Sequence, residues 1–407
     1  MKKLLKNIGP STLIAAAFIG PGTISVCSLA GINFGYDLLW ALVFSIVATM
    51  VLQEMSARLG LVTGKDLASV IRIYFSSTWK KLLALSLVIL AIVFGNAAYE
   101  AGNITGAVLG LDAVFQVAEF SFLNQNINIL PILIGFVSIL VLALGSYKKI
   151  EKVLMLLVLL MSLSFVISAL LIVPNWLDIL QSIFVPRFPE TSLTTILAIV
   201  GTTVVPYNLF LHSAIVQEKW KSVSSIKHAR WDIFIAIGLG GLVSVCVVIA
   251  GAALHTSEIT TQDFSSLALS LAPLYGDYAT YLLGFGFFAA GITSSITAAL
   301  AAAYVLKSAL NWQGKSGKIY FKLVWILIVL AGVLFSSLNI QPLQLIQTAQ
   351  ISNAIVLPFA AIFLYITVNN SQWMGKYKNN ALQKILGLLI LLFAVFLGAK
   401  SLFFFFL

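Results

Sequence analysis

The sequence predicts an all-α, polytopic membrane protein, and three observations support this fold class. Hydrophobic residues make up 60% of the 407 positions and charged residues only 9%, whereas soluble domains carry about 25% charged residues. Apolar stretches of about 20 residues, the length that crosses a bilayer, recur along the whole chain. Lysine and arginine gather in alternate loops between these stretches. We therefore expect the apolar surface to face lipid.

The hydropathy pattern predicts eleven spanning segments within a single transmembrane domain. Between the second and third segments, "TGKDLASVIRIYF" predicts a short amphipathic helix on the inner membrane surface. The segments are expected near residues 10–33, 37–60, 80–109, 128–147, 150–173, 191–217, 231–255, 275–310, 320–338, 342–369 and 381–406.

The charge distribution predicts the orientation of the chain. With the N-terminus in the cytoplasm, all of the 24 lysines and arginines except Arg187 and Lys400 fall on the cytoplasmic side, as the positive-inside rule requires. This distribution explains the net charge of +10 without a nucleic-acid partner. It also suits a multi-pass protein of a bacterial inner membrane. Cys27 and Cys246 lie in apolar runs, and we expect packed small side chains rather than a disulfide.

Two predicted segments contain a proline that interrupts the helix. The first segment contains "FIGPGTISV", with Pro21 between two glycines, and the sixth contains "VGTTVVPYNLFLH", with Pro206. Proline removes a backbone donor and clashes with the preceding turn. An ordinary proline kink would explain one such position. Two at corresponding positions predict interrupted helices that together form a substrate site.

The spacing of the interruptions predicts an inverted repeat. Five segments per half is an odd number, so the second half crosses the membrane in the opposite direction to the first. The repeats are expected at about 10–173 and 191–369, with one extra helix at about 381–406. Lipid cannot satisfy the backbone groups freed at an interruption, so these stretches must line a polar cavity within the protein.

This organisation favours a transporter over other classes of protein. Paired interrupted helices fit alternating access better than a static pore. No Ser/His/Asp set, cluster of metal ligands or nucleotide-binding loop occurs at a usable spacing, so the sequence predicts neither an enzyme nor a bound cofactor.

Several segments resemble the Nramp family of proton-coupled divalent-metal transporters, in the same order along the chain. The resemblance implies a LeuT-type fold with the substrate held between the first and sixth helices. The similar stretches are "GPSTLIAAAFIGPGTISVCSLAGINFGYDLLW", "LQEMSARLGLVTGKDLA", "VPYNLFLHSAIVQEK", "GITSSITAALAAAYVLK" and "QTAQISNAIVLPFAAIFLYITVNNSQWMG".

The first-helix motif departs from the family pattern. The family motif is Asp-Pro-Gly-Asn, whereas this chain has Gly20, Pro21, Gly22 and Thr23. The carboxylate and the amide that bind metal in the family are therefore replaced by Gly20 and Thr23.

The sixth-helix motif departs as well. The family motif Ala-x-x-Met-Pro-His corresponds here to a stretch from Thr202 to Tyr207, in which Val205 replaces the methionine and Tyr207 the histidine. Asn208 follows and is a candidate cap for a half-helix. The resemblance also implies a glutamine on the tenth helix, for which Gln350 is the candidate. The expected substrate-binding residues are Gly20, Pro21, Gly22, Thr23, Thr202, Val205, Tyr207, Asn208 and Gln350.

These replacements leave three hypotheses for the substrate. A site without formal charge dehydrates a divalent ion poorly, but Mg²⁺ retains much of its water shell. Divalent cations, with Mg²⁺ favoured over Mn²⁺ and Fe²⁺, are therefore the first hypothesis, and a small polar organic solute is the second. A receptor-like relative that no longer transports is the third.

A proton pathway is expected from three further residues. Glu100 lies well inside the third segment, where an acid marks function by default. The resemblance implies an Asp and a Glu three residues apart at Glu100 and Asn103, and a proton-linked histidine at His212. Structural hydrogen bonding between helices is the alternative role for each of these residues. Glu54 and Arg58 have the spacing of an ordinary helical ion pair.

Overall fold

The structure is a computed structural model that describes residues 19–117, 120–122, 125–145, 148–255, 263–338 and 340–406. Helices account for almost all of the described chain, joined by single 3₁₀ turns at Val223–Ser225, Gly276–Tyr278 and Gly375–Tyr377. The elements are α1 (Pro21–Phe34), α2 (Leu39–Thr63), α3 (Leu67–Tyr74), α4 (Thr78–Phe115), β1 (Phe120–Phe122), β2 (Gln125–Ile127), α5 (Leu130–Leu144), α6 (Lys148–Leu171), α7 (Trp176–Phe184), α8 (Ser192–Thr203), α9 (Pro206–Lys219), α10 (Ile226–Ala252), α11 (Phe264–Leu269), α12 (Ala272–Tyr275), α13 (Ala279–Ala309), α14 (Gly314–Ser336), α15 (Pro342–Asn369), α16 (Ser371–Met374) and α17 (Ala381–Phe406).

The predicted spanning segments correspond closely to these helices. Nine stretches of the described residues are helical, long and apolar enough to cross a membrane, α8 and α9 together forming one of them. The predicted fourth segment corresponds to α5, which is apolar but shorter. The predicted first segment begins at residue 10, and residues 10–18 lie outside the described residues. The total of eleven spans therefore stays a prediction.

A short helix, α3, and a strand pair, β1 and β2, connect spanning helices in the first half of the chain. The predicted amphipathic helix is present as α3, where Asp66 accepts a hydrogen bond from the Ser69 amide at 2.9 Å and so caps the helix. Its place on the inner membrane surface stays a prediction. Its apolar face, which includes Val70 and Ile71, is buried. An antiparallel pair, β1 and β2, joins α4 to α5, with Phe120 opposite Ile127. The hydropathy pattern did not predict this hairpin, because six residues of strand leave no periodic signal.

The core of the bundle is built around α4. This helix packs against α13, α14 and α15, while α1 packs along α10, and α8 lies between α1 and α15. Cys27 and Cys246 are both buried and neither forms a disulfide, as expected. The packing brings α1, α4, α8 and α15 together near the start of α1 and the end of α8.

The charged residues mark two opposite ends of the bundle. At one end the Glu54 carboxylate binds Arg58 at 3.0 Å, as its spacing predicted, and also Arg230 at 2.8 Å. At the other end Arg187 binds Asp37 at 2.8 Å. Arg58 and Arg230 were predicted to be cytoplasmic and Arg187 external, so this separation agrees with the predicted sorting. Which end faces the cytoplasm remains a prediction.

Candidate functional site

The interruption in the sixth predicted segment is a gap of two residues between helices. Helix α8 ends at Thr203 and α9 begins at Pro206. Two carbonyl groups near the gap bond to side chains of neighbouring helices. Thr49 Oγ1 of α2 donates to the Thr203 carbonyl at 3.0 Å, and Asn353 Nδ2 of α15 donates to the Gly201 carbonyl at 3.2 Å. Neighbouring side chains thus replace the backbone donors that the gap removes, as a site within a bilayer requires.

The motif of the first predicted segment forms the start of α1. Gly20 is extended, with φ −98° and ψ 176°, and the helix begins at Pro21. The Gly20 carbonyl accepts the first helical hydrogen bond, from the Ile24 amide at 3.2 Å. All residues from Gly20 to Thr23 are buried. The amino end of α1, with its partial positive charge, therefore lies inside the bundle.

The start of α1 and the end of α8 meet through a pair of threonines. Residues before Ile19 lie outside the described residues, so the interruption of the first segment stays a prediction. Thr23 Oγ1 and Thr202 Oγ1 lie 2.8 Å apart, within hydrogen-bond distance, and both side chains are buried. These residues are separated by 179 positions in the chain. The start of α1 and the end of α8 therefore face each other, in the arrangement that the paired prolines led us to expect.

Gln350 of α15 lies against this contact. A Cβ atom added to Gly22 would lie 2.2 Å from Gln350 Nε2, so the amide rests directly on the Gly22 backbone. Gln350 is only 1% exposed, and neither its Nε2 nor its Oε1 atom has a hydrogen-bond partner among the described residues. A buried amide without a partner is costly in a low-dielectric interior. The arrangement therefore leaves a donor and an acceptor available to a bound solute.

Gly201 allows the backbones of α8 and α15 to touch. A Cβ atom at Gly201 would lie 1.9 Å from the Gln350 carbonyl oxygen and 2.8 Å from its carbon. Any side chain larger than hydrogen would push the helices apart. Glycine at this position therefore lets the Thr202 residue of α8 and the Gln350 residue of α15 lie close to each other.

Two other predicted residues, Val205 and Tyr207, lie at the start of α9. Val205 precedes Pro206 at the cap position and contributes an apolar, buried side chain. The Tyr207 ring meets the Tyr99 ring of α4 edge-on, with centroids 5.5 Å apart.

The expectation that the Asn208 side chain caps a half-helix is wrong. The cap position is occupied by Val205, and Asn208 Oδ1 has no hydrogen-bond partner within the described part of the chain. The reason is its place in the helix, since Asn208 is the third helical residue and a capping side chain must precede the first turn. Its buried carbonyl oxygen is a further unpartnered acceptor near the gap.

Glu100 and Asn103 form a separate polar cluster on α4. The Ser295 hydroxyl of α13 donates to the Glu100 carboxylate, and Asn103 Nδ2 lies 3.5 Å from the other carboxylate oxygen. Ser138 of α5 continues the cluster, with its Oγ atom 3.2 Å from Ser295 Oγ. All four side chains are buried. The cluster adjoins the candidate site, since Tyr99, the residue before Glu100, touches Tyr207, and Gly102, the residue before Asn103, lies against Gln350.

His212 lies further along α9 and faces a different neighbour. Its Nδ1 atom is 2.7 Å from Gln53 Oε1 of α2, and both side chains are buried. Within the described residues, no three His, Cys, Asp or Glu side chains come close enough together to hold a metal ion. The described groups at the gap are hydroxyls, amides and carbonyls, which carry no formal charge.

The family model for natural resistance-associated macrophage protein-like sequences matches residues 11–404. The chain belongs to the Nramp family. It is 25% identical to a divalent metal cation transporter, MntH, of Caldanaerobacter subterraneus, over 99% of this chain and 94% of the relative. It is 28% identical to the MntH of Staphylococcus haemolyticus, over 96% of this chain and 90% of the relative. This Nramp chain is therefore related to membrane transporters and not to enzymes.

Solved structures confirm the predicted fold class. A manganese transporter of Eremococcus coleocola superimposes with a TM-score of 0.78 at 24% identity, covering 98% of this chain and 86% of that one. The protein MhsT, solved in complex with L-phenylalanine, superimposes with a TM-score of 0.61 at 16% identity over 97% of both chains. This Nramp chain is thus an all-α, multi-pass membrane protein with the LeuT-type fold.

Sequence reasoning missed several residues that complete the site. Thr49, Gly201 and Asn353 lie at the gap, and Ser295 lies on Glu100. Asn353 gave a usable signal, since it follows Gln350 by three residues on one helix face. Thr49 and Ser295 gave none, because isolated hydroxyl residues are ordinary in membrane helices.

Proposed function

We propose that this chain is a secondary active or facilitated transporter that moves divalent metal cations across a membrane. The contact between Thr23 Oγ1 and Thr202 Oγ1, with the unpartnered Gln350 amide beside it, is the observation that supports this proposal. It provides a buried polar point where α1 begins and α8 ends. Membership of the Nramp family, and the names of the relatives, support cations as the substrate class.

The chemistry of the site favours Mg²⁺ over Mn²⁺ and Fe²⁺. Thioether and imidazole groups select transition metals, whereas neutral oxygen ligands suit a hard cation that keeps its water. The positions where the family resemblance implies a methionine and a histidine hold Val205 and Tyr207. Hydroxyl, amide and carbonyl oxygens would hold the ion through its water shell. The carboxyl end of α8, with its partial negative charge, would offset the positive amino end of α1, where Gly20, Pro21 and Gly22 lie.

Proton symport would use the second polar cluster. Glu100, assisted by Asn103, is the candidate carrier, and His212 is the second candidate on the other side of Tyr207. The hydrogen bond from Ser295 to Glu100 and the one between His212 and Gln53 hold these two buried side chains in fixed orientations, which supports a role in proton transfer. We place the protein in a bacterial inner membrane with a cytoplasmic N-terminus, on the basis of its charge distribution.

Uptake into liposomes tests the substrate. Purified protein should take up Mg²⁺, and Mn²⁺ should compete less well. Gln350→Leu removes the amide while keeping the volume, and we expect it to raise the concentration for half-maximal uptake about tenfold. Gln347→Leu, one turn earlier on α15, is the matched control and should behave as wild type. Equal uptake by both variants would remove Gln350 from the site.

The proton pathway is tested by Glu100→Gln in the same liposomes. This substitution keeps the shape and removes the titrating group, so uptake driven by an inward proton gradient should fall. The dependence of uptake on external pH should also flatten. Unchanged uptake together with unchanged pH dependence would exclude Glu100 from the mechanism.

A small polar organic solute is the second candidate substrate. The observation in its favour is that the Gln350 amide offers both a donor and an acceptor, which suits an organic polar group better than a cation. If neither Mg²⁺ nor Mn²⁺ enters the liposomes and neither competes with another solute, the cation hypothesis fails and this one replaces it. If no solute of either class binds, a receptor-like role without transport is favoured.

A further inference from the structure

A groove between three helices lies away from the interrupted segments, at the end of the bundle that carries Arg58 and Arg230. Its walls are formed by α2, α10 and α17, and its volume is about 500 Å³. The groove belongs neither to the gap between α8 and α9 nor to the Glu100 cluster. Nothing in the proposed transport function uses it.

The lining of the groove changes from polar to apolar in the same direction on all three helices. On α10, Lys227 and Arg230 lie nearer the charged end than Phe234, and on α17, Gln383 lies nearer than Leu386. On α2, which runs the opposite way, Glu54 lies nearer the charged end than Met50 and Val51. The polar and apolar residues compared on each helix are about one turn apart, so their depths in the groove differ by about 5.4 Å. An occupant must therefore have a polar group at one end and an apolar chain that continues deeper.

The charges at the polar rim favour an anion. Glu54 is already bound by both Arg58 and Arg230. The contacts of Arg230 to Glu54 use Nε and Nη2, and its side chain is 50% exposed. Lys227 has neither an ion pair nor a hydrogen bond to any other part of the described chain and is exposed. Among the residues that line the groove, Lys227 and Arg230 thus lie at its polar rim beside the carboxylate of Glu54, which is already paired.

The groove opens toward lipid rather than toward the core. Trp231 and Phe234 lie along its mouth, 57% and 58% exposed, with their rings 5.9 Å apart. Exposed tryptophan next to basic residues at the end of a spanning helix is typical of the boundary between headgroups and acyl chains. An amphiphile in the bilayer can therefore enter the groove sideways.

We propose that this groove binds one anionic phospholipid. Its phosphate group contacts Lys227 and the exposed part of the Arg230 guanidinium, and one acyl chain lies along Val51, Phe234 and Leu386. Basic pockets between spanning helices on the cytoplasmic side bind acidic headgroups, and the predicted orientation places this rim on that side. The bound lipid would join α2, α10 and α17 at the Glu54 ion pairs.

Native mass spectrometry of the full-length protein tests the proposal. Dioleoylphosphatidylglycerol and dioleoylphosphatidylcholine are each titrated into the delipidated protein in detergent. The first phosphatidylglycerol should bind at a lower lipid concentration than the first phosphatidylcholine. Lys227→Gln should weaken this first binding step about fivefold, the effect of one basic residue at an anionic headgroup. Val51→Trp should abolish the step by filling the groove with an indole ring.

Two control variants test whether the effects are specific to the groove. Lys318→Gln removes an exposed cation of α14 outside the groove, and Val47→Trp adds an indole on α2 at an exposed position outside the lining. Both should bind phosphatidylglycerol as wild type does. The proposal is overturned if phosphatidylcholine binds equally well, if Lys318→Gln weakens binding as much as Lys227→Gln, or if Val51→Trp still binds the lipid.

Discussion

Replacing Gly201 with alanine is expected to separate α8 from α15 at the interrupted segment. The new methyl group would lie 1.9 Å from the Gln350 carbonyl oxygen. Since ordinary contact begins at about 3.4 Å, the helices must move apart by about 1.5 Å at this point. The obstacle is backbone on both sides, so no side-chain rotation can relieve it.

The size of the effect follows from two contributions. Overpacking a tight interface costs about 1–3 kcal/mol. A displacement of this size also lengthens the hydrogen bond from Asn353 Nδ2 to the Gly201 carbonyl, now 3.2 Å, beyond its useful range. In membrane proteins one such bond contributes about 0.6 kcal/mol. We therefore expect Gly201→Ala to lower the free energy of unfolding by about 2–4 kcal/mol.

Unfolding in mixed micelles of increasing SDS content, followed by tryptophan fluorescence, measures this free energy. Gly238→Ala on α10 is the matched control, because its methyl group would meet only the flexible Met50 Cε at 3.5 Å. The control should match wild type or gain up to about 1 kcal/mol from better helix propensity. The reasoning is refuted if both alanine variants unfold at the same SDS fraction.

Two further predictions use the same unfolding assay. Thr23→Val and Thr202→Val should show a coupling energy of about 0.6–1.7 kcal/mol in a double-mutant cycle, and a coupling of zero would mean that the two hydroxyls do not bond. Glu54→Gln should cost about 3 kcal/mol, because it leaves Arg58, only 3% exposed, without its charged partner. Asp37→Asn breaks an exposed ion pair and should cost less than about 1 kcal/mol; equal costs for these two variants would contradict the difference in burial.

Much of the fold was predictable because its signals are local. Crossing a bilayer requires about 20 apolar residues, and that requirement is visible in any window of the sequence. Prolines act on their own turn of helix, so Pro206 marked the gap after Thr203 to within two residues. The ion pair between Glu54 and Arg58 was predictable for the same reason, since four residues on a helix always bring two side chains together.

The composition of the site was only partly predictable. Family resemblance led to Thr23, Thr202 and Gln350, which the structure brings together. It did not lead to Thr49 or Asn353, which bond to the carbonyls at the gap, because neither residue type stands out in a membrane helix. The capping role expected for Asn208 failed because the start of α9 could be placed only approximately from the sequence.

The sequence by itself determined that this chain spans a membrane many times, that a helix is interrupted before Pro206, and that the stretches around Pro21 and Pro206 lack charged ligands. Those properties follow from the transfer free energy and backbone chemistry of neighbouring residues. Only the tertiary structure decided that Gly201 touches the Gln350 backbone, that Arg230 joins the ion pair of Glu54, and that three helices leave a groove beside Lys227. These contacts join residues up to 176 positions apart, and the packing of whole helices, rather than any local pattern, fixes which side chains meet.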